Sequence, residues 1–216
     1  MIGSDPWGPD DARLACRCVG AGFGVYTGLV SDSARRLLFD EAMSQLSVAQ
    51  QVHVPTSRGC EARGGSPARR FISTAGGPRQ DHLYRSARTL GALRAITTVA
   101  VAATGERGTY TFYARKGDHL ALHRDIESCD LALITCLYDD TRPDGESGVL
   151  CLYPERAGEP IDAIARTPAQ SRILVRLAPG ESLVMFGGII PHRVAPMAEG
   201  EVRVVSVLCY RQLSAS

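Results

Sequence analysis

Residues 109–138 read TYTFYARKGDHLALHRDIESCDLALITCLY, and the spacing of apolar side chains within this stretch decides the class of fold. Over Thr109 to Ala114, His119 to Asp125 and Leu131 to Tyr138 the pattern has the period of a strand, with Gly117 between the first two runs. The same rhythm continues outward in both directions. Thr97 to Ala103 lies before it, and Gly148 to Tyr153, Ser171 to Leu177, Ser182 to Phe186 and Arg203 to Arg211 follow. Breakers such as Arg142-Pro143-Asp144-Gly145 and Pro179-Gly180 stand between several of these runs.

Upstream the period changes. Ala34, Leu37, Leu38, Ala42 and Leu46 recur at three and four residues, with Ser31 or Asp32 as N-cap, which predicts a helix to about Gln50. A second helix is expected over Asp81 to Ile96, with Gly91 as its weak point, and a short strand over Leu14 to Val19. Helices first and many short strands afterwards predict an α+β chain whose C-terminal part is a jelly-roll or cupin-like barrel. The 216 residues suffice for one domain. We expect an arm over 1–12, a helical and loop region over 13–96 and the β core over 97–216. Residues 55–80, rich in Gly, Arg, Ser and Pro, read as a long loop: a linker, a lid whose arginines suit an acidic substrate, or a solvated connection.

Lys plus Arg total 24 against 23 Asp plus Glu, so the net charge of +1 offers no footprint for nucleic acid or an anionic membrane. No basic start with an apolar run opens the chain, and no segment holds about 18 uninterrupted apolar residues, so a cytoplasmic protein is expected. The seven cysteines are scattered and mostly lie in apolar runs, which predicts reduced core thiols. Neither a Gly-x-Ser-x-Gly elbow nor a Cys/His signature points to a nucleophile.

The chemistry concentrates on His123-Arg124-Asp125. Residues two apart on an extended strand point to one face, so the imidazole and the carboxylate can converge on one cation. His192, after Leu183-Val-Met-Phe-Gly-Gly-Ile-Ile-Pro191, supplies a second imidazole. Two His and one carboxylate make a facial triad with open coordination positions. Arg203, eleven residues after His192, shares its strand face with Val205, Val207 and Cys209. A guanidinium projecting into an apolar interior needs a partner, and a dicarboxylate whose far end accepts a bidentate pair supplies one. Arg211 has the same parity and is the second candidate for that role. His119 is read as a pocket or packing residue, not a ligand.

Together, Tyr113-Ala-Arg-Lys-Gly-Asp-His-Leu-Ala-Leu-His-Arg-Asp125, Leu131 to Tyr138, Ser147-Gly-Val-Leu-Cys-Leu-Tyr-Pro154 and Leu177 to Phe186, running through His192-Arg-Val-Ala-Pro196 to Arg203, resemble successive blocks of the prolyl-hydroxylase-like 2-oxoglutarate and Fe(II)-dependent oxygenases. The resemblance implies a double-stranded β-helix and an Fe(II) ion on His123, Asp125 and His192. It also implies that Arg203 holds the far carboxylate of 2-oxoglutarate and that Tyr113 touches this co-substrate. The implied reaction consumes O2 and 2-oxoglutarate, releases succinate and CO2, and hydroxylates a C–H bond of a small metabolite such as an amino acid, peptide or natural-product intermediate. With Asp125 present, the chloride site of related halogenases is missing. A protein side-chain hydroxylase of the same superfamily and a cupin-like metal protein without oxygenase activity stand as alternatives. A carbohydrate-binding jelly roll would leave two His and an Asp without purpose.

Overall fold

The computed structural model describes residues 7–213. In chain order its strands are β1 (Ala15–Gly20), β2 (Phe23–Thr27), β3 (Gln50–Val54), β4 (Arg69–Ala75), β5 (Val101–Ala103), β6 (Thr109–Tyr113), β7 (His119–His123), β8 (Leu131–Asp139), β9 (Leu150–Leu152), β10 (Ile173–Val175), β11 (Ser182–Met185), β12 (His192–Val194) and β13 (Arg203–Gln212). The helices are α1 (Asp32–Ser44), α2 (Pro78–Arg85), α3 (Ala87–Thr97) and the short α4 (Ile161–Arg166). The strands form one antiparallel sheet in the order β1-β2-β11-β8-β13-β6-β4-β7-β12-β9-β10, with β3 added on β4 and β5 on β13.

The period of two in the sequence becomes two environments. Thr109, Thr111 and Tyr113 of β6, Ala132 and Ile134 of β8, and Arg203, Val205 and Val207 of β13 line one cavity. Residues of opposite parity, Tyr110, Phe112, Leu131, Leu133, Val204 and Leu208, pack with Leu38 of α1, Leu83 of α2 and Leu93 of α3. The sheet therefore curls one face around a cavity and lays the other against the helices, as a jelly-roll, double-stranded β-helix does. Leu38, Leu83 and Leu93 are fully buried, which stabilises the helical layer by roughly 1.5–3 kcal/mol per side chain.

Local chemistry sets the helix ends. Ser31 Oγ accepts from Ala34 N at 3.1 Å and caps α1. The N-terminus of α2, with Pro78 in its first turn, is held by the buried Glu41 of α1, which accepts from Arg79 N at 2.8 Å, Gln80 N at 3.0 Å and the Tyr110 hydroxyl at 2.7 Å. One buried carboxylate thus joins two helices to β6.

Several boundaries differ from the sequence reading. α1 stops at Ser44, because Gln50–Val54 pairs as β3 with β4. The helix expected over Asp81 to Ile96 begins earlier and breaks at Ser86, whose ψ of 128° is not helical. Gly91 lies inside α3 without interrupting it. Residues 55–80 are not one loop: Arg69–Ala75 is β4, which pairs with β3 along one edge and with β7 and β6 along the other. Its apolar content is low, and the pairing on both edges decides its conformation. The sheet consequently extends beyond 97–216, since β2 also joins β11. Of the arm expected over 1–12, residues 1–6 lie outside the described residues. Trp7 packs against His82 with ring centroids 5.3 Å apart, and Pro9 O accepts from Arg88, so the part from Trp7 onward is docked.

The cysteines also depart from expectation. Cys129 and Cys209 form a disulfide across 80 residues of sequence, a pairing that spacing alone does not reveal. Cys60, Cys136 and Cys151 are buried thiols, whereas Cys16 is exposed. Burial pushes the Cys136 thiol up to about 12, consistent with an unreactive core position. Closing a loop of 80 residues stabilises the fold by about 4.5 kcal/mol in the chain-entropy account. Reduction, or Cys209→Ala, is expected to lower the melting temperature by roughly 10 °C. Identical thermal melts with and without reductant would refute this. Among the described residues no helix is long and apolar enough to cross a membrane.

Candidate active site

The site forms where β7 and β12 meet. His123 closes β7 and His192 opens β12, and the two are direct cross-strand partners with ring centroids 4.3 Å apart. Asp125 lies just past the end of β7, where its N–H donates to Gly187 O at 2.9 Å. The carboxylate returns between the rings, with Oδ1 3.4 Å from His123 Nε2 and 3.5 Å from His192 Nε2. One donor atom from each residue falls within 4.8 Å of the other two.

The orientation of each ring is fixed from behind. His123 Nδ1 lies 2.9 Å from Ala121 O, and His192 Nδ1 lies 2.9 Å from Ile190 O. With Nδ1–H donating to a carbonyl, each Nε2 presents its lone pair toward Asp125, the arrangement a metal-binding imidazole needs. Gly187 makes room for the carboxylate: a Cβ there would overlap Asp125 Oδ2.

Charge within the cluster is shared unevenly. Burial and then the neighbouring His192 lower the proton affinity of His123. Burial also opposes charge on His192, but Asp125 outweighs it and holds this ring's pKa above the usual histidine value. Burial raises the Asp125 carboxyl, yet His192 and His123 together hold it well below the usual carboxylate range. An anionic oxygen between two imidazoles demands positive charge, which a proton or a divalent cation can supply. Two nitrogens and one carboxylate oxygen suit a first-row divalent metal.

These residues open on a cavity of about 190 Å³ with mainly apolar walls, including Phe71, Leu120, Ile134, Leu150 and Val194. Arg203 lines it too and is only 2 % exposed. Its Nη1 donates to Gly148 O, while Nε stands 3.8 Å from Asp139 Oδ2, too far for a hydrogen bond, so both atoms are buried without one. Asp139, a counter-charge the sequence reading missed, is itself fixed through Oδ1 by Thr141 N at 2.8 Å and Thr141 Oγ1 at 2.6 Å. No periodic signal marks it, because it ends β8 beside a register shift in the β8–β13 pairing. Arg203 thus lines the cavity with one donor, Nε, unfilled beside Asp139.

Tyr113 is the cross-strand partner of Arg203 and also lines the cavity. Burial raises its pKa, with Arg203 acting the other way, so the phenol stays protonated and able to donate. Arg211 is exposed, opposite Ala102, and does not line the cavity. His119 is turned to Gly117 O at 2.9 Å and is not part of the three-residue cluster.

No family model matches the sequence, and no curated protein is similar to it. Solved structures are similar. AviO1 from Streptomyces viridochromogenes Tue57 is 18% identical with a TM-score of 0.66, over 91% of this chain and 92% of that one. A Pseudomonas putida prolyl-4-hydroxylase is 14% identical with a TM-score of 0.59, over 90% and 94%. HygX from Streptomyces hygroscopicus, solved with nickel, 2-oxoglutarate and hygromycin B bound, is 15% identical with a TM-score of 0.58, over 88% and 82%. At such identities it is the architecture that is shared: the chain has the fold of the prolyl-hydroxylase-like 2-oxoglutarate oxygenases.

Proposed function

We propose that this chain is a 2-oxoglutarate-dependent dioxygenase that hydroxylates a C–H bond of a small metabolite. The observation that carries this reading is the pairing, in one cavity, of the His123, Asp125 and His192 donors with a buried arginine whose hydrogen-bonding capacity is unfilled.

In this reading His123 Nε2, Asp125 Oδ1 and His192 Nε2 would hold Fe(II). Arg203 binds the far carboxylate of 2-oxoglutarate through charge-assisted hydrogen bonds, and Tyr113 donates to the same co-substrate from the neighbouring strand. When bound, iron with 2-oxoglutarate supplies O2 activation coupled to oxidative decarboxylation, giving succinate and CO2. The apolar walls keep water from the reacting centre, and the carbonyls of Ala121 and Ile190 keep both rings in register. HygX, solved with hygromycin B bound, supports a small molecule as the substrate.

Anaerobic addition of Fe(II) and 2-oxoglutarate is expected to produce the weak visible charge-transfer band of the chelate. Its absence would refute the reading. A metabolite screen for stimulated succinate formation would then identify the substrate. Gly187→Ala tests the geometry, because the new methyl must displace the Asp125 carboxylate. It should weaken metal binding roughly 10- to 100-fold, comparable to the loss of a residue that orients a ligand. Unchanged affinity, measured by chelator competition, would show that Asp125 does not need this place.

A further inference from the structure

The Gly- and Arg-rich connection between β3 and β4 folds as a hairpin whose tip reaches the site. Arg58 and Ser66 exchange backbone hydrogen bonds at 2.9 and 2.8 Å, and Gly59 and Gly64 turn the chain with φ of 63° and 86°. Two charged side chains leave the tip in different directions. Glu61 accepts from Ile161 N and Asp162 N, both at 3.0 Å, and so fastens the hairpin to α4.

Arg63 goes the other way. Its Nε donates to Asp125 O at 3.2 Å, and its Nη2 donates to Ile126 O at 2.7 Å, Glu127 O at 3.2 Å and Cys129 O at 2.9 Å. Nη1 pairs with Asp130 Oδ1 at 2.8 Å. The turn that follows β7 and carries Asp125 is irregular and has few backbone bonds of its own, so its carbonyls converge on this guanidinium. The same group presses against the turn leading to His192: a Cβ on Gly188 would lie 2.5 Å from Arg63 Cζ. A planar fork with five N–H donors is suited to this task, and a lysine is not.

We propose that Arg63 is a positioning residue for the metal centre, holding the Asp125 turn and the Gly187–Gly188 turn in the geometry that brings the carboxylate between the two imidazoles. Arg63 is therefore committed to the protein's own carbonyls and is not available to an acidic substrate. This inference rests on the metal-site reading above.

Co(II) titration of the full chain, without substrate or O2, tests it, because the d–d bands report the ligand geometry directly. Arg63→Ala should weaken Co(II) binding roughly 10- to 100-fold and shift the bands, and Arg63→Lys should restore only part of both. Arg58→Ala, at the base of the same hairpin, should leave both unchanged. Gly188→Ala moves the guanidinium without removing it. It should weaken binding in the wild-type background and add nothing in the Arg63→Ala background. If Arg63→Ala does not fold, Arg63→Lys and Gly188→Ala carry the test. Wild-type affinity and spectrum in the folded Arg63 variants, or in Gly188→Ala, overturn the proposal. Failure of the wild-type chain to bind Co(II) would instead overturn the metal-site reading.

Discussion

Replacing His123 or His192 by alanine is expected to reduce turnover below detection while leaving the fold in place. Either change removes one of three donors, so it should cost more than the roughly 10- to 100-fold typical of groups that merely orient a ligand. The fold should survive because both rings face a cavity and leave no packed layer behind them. Asp125→Gly should retain some iron through the two imidazoles but lose hydroxylation, and Asp125→Glu should be milder. Metal content after gel filtration and succinate release measure the two effects separately. Wild-type rates for a histidine variant at limiting iron would remove that histidine from the centre.

Arg203→Ala should raise the KM for 2-oxoglutarate by about 30- to 1000-fold, corresponding to roughly 2–4 kcal/mol for charge-assisted contacts in a poorly solvated site. Asp139 adds a second effect. With Arg203 gone, a carboxylate that is almost fully buried loses its counter-charge, and breaking such a pair costs about 3–5 kcal/mol of stability. The double variant Arg203→Ala with Asp139→Asn should recover much of the stability and none of the co-substrate affinity. Arg203→Lys should regain part of the affinity, since an ammonium is a point charge where a planar fork fits. Arg211→Ala should change neither quantity. A raised KM for Arg211→Ala beside an unchanged one for Arg203→Ala would transfer the role to Arg211.

The jelly-roll character was legible because β6, β8, β11 and β13 are apolar runs with clear punctuation, and their alternation survives as the two faces of the sheet. The triad was legible as residue types at a spacing, although the sequence carries no sign that His123 and His192 would be cross-strand partners. Elements whose form depends on distant partners were not legible. β4 begins with two arginines, and β12 is three residues long with a histidine and an arginine in it. Both become strands through edges supplied elsewhere in the chain. Asp139, Arg63 and the Cys129–Cys209 pair were hidden for a related reason: each matters through a residue far away in sequence, and periodicity reports only neighbours.

The order of strands also governs how the chain reaches this state. β13 is translated after every other strand described, yet it lies in the middle of the sheet between β8 and β6. Until it arrives, β8 is paired only on its β11 edge, and its other edge, nine residues long, stays open. Antiparallel sheets closed by such distant pairings fold slowly, on the order of milliseconds to seconds. During that interval the open edge invites pairing with another chain. Production of this protein should therefore depend on temperature and on chaperone supply more than its modest size suggests, and changes that weaken β13 should appear first as lost soluble yield.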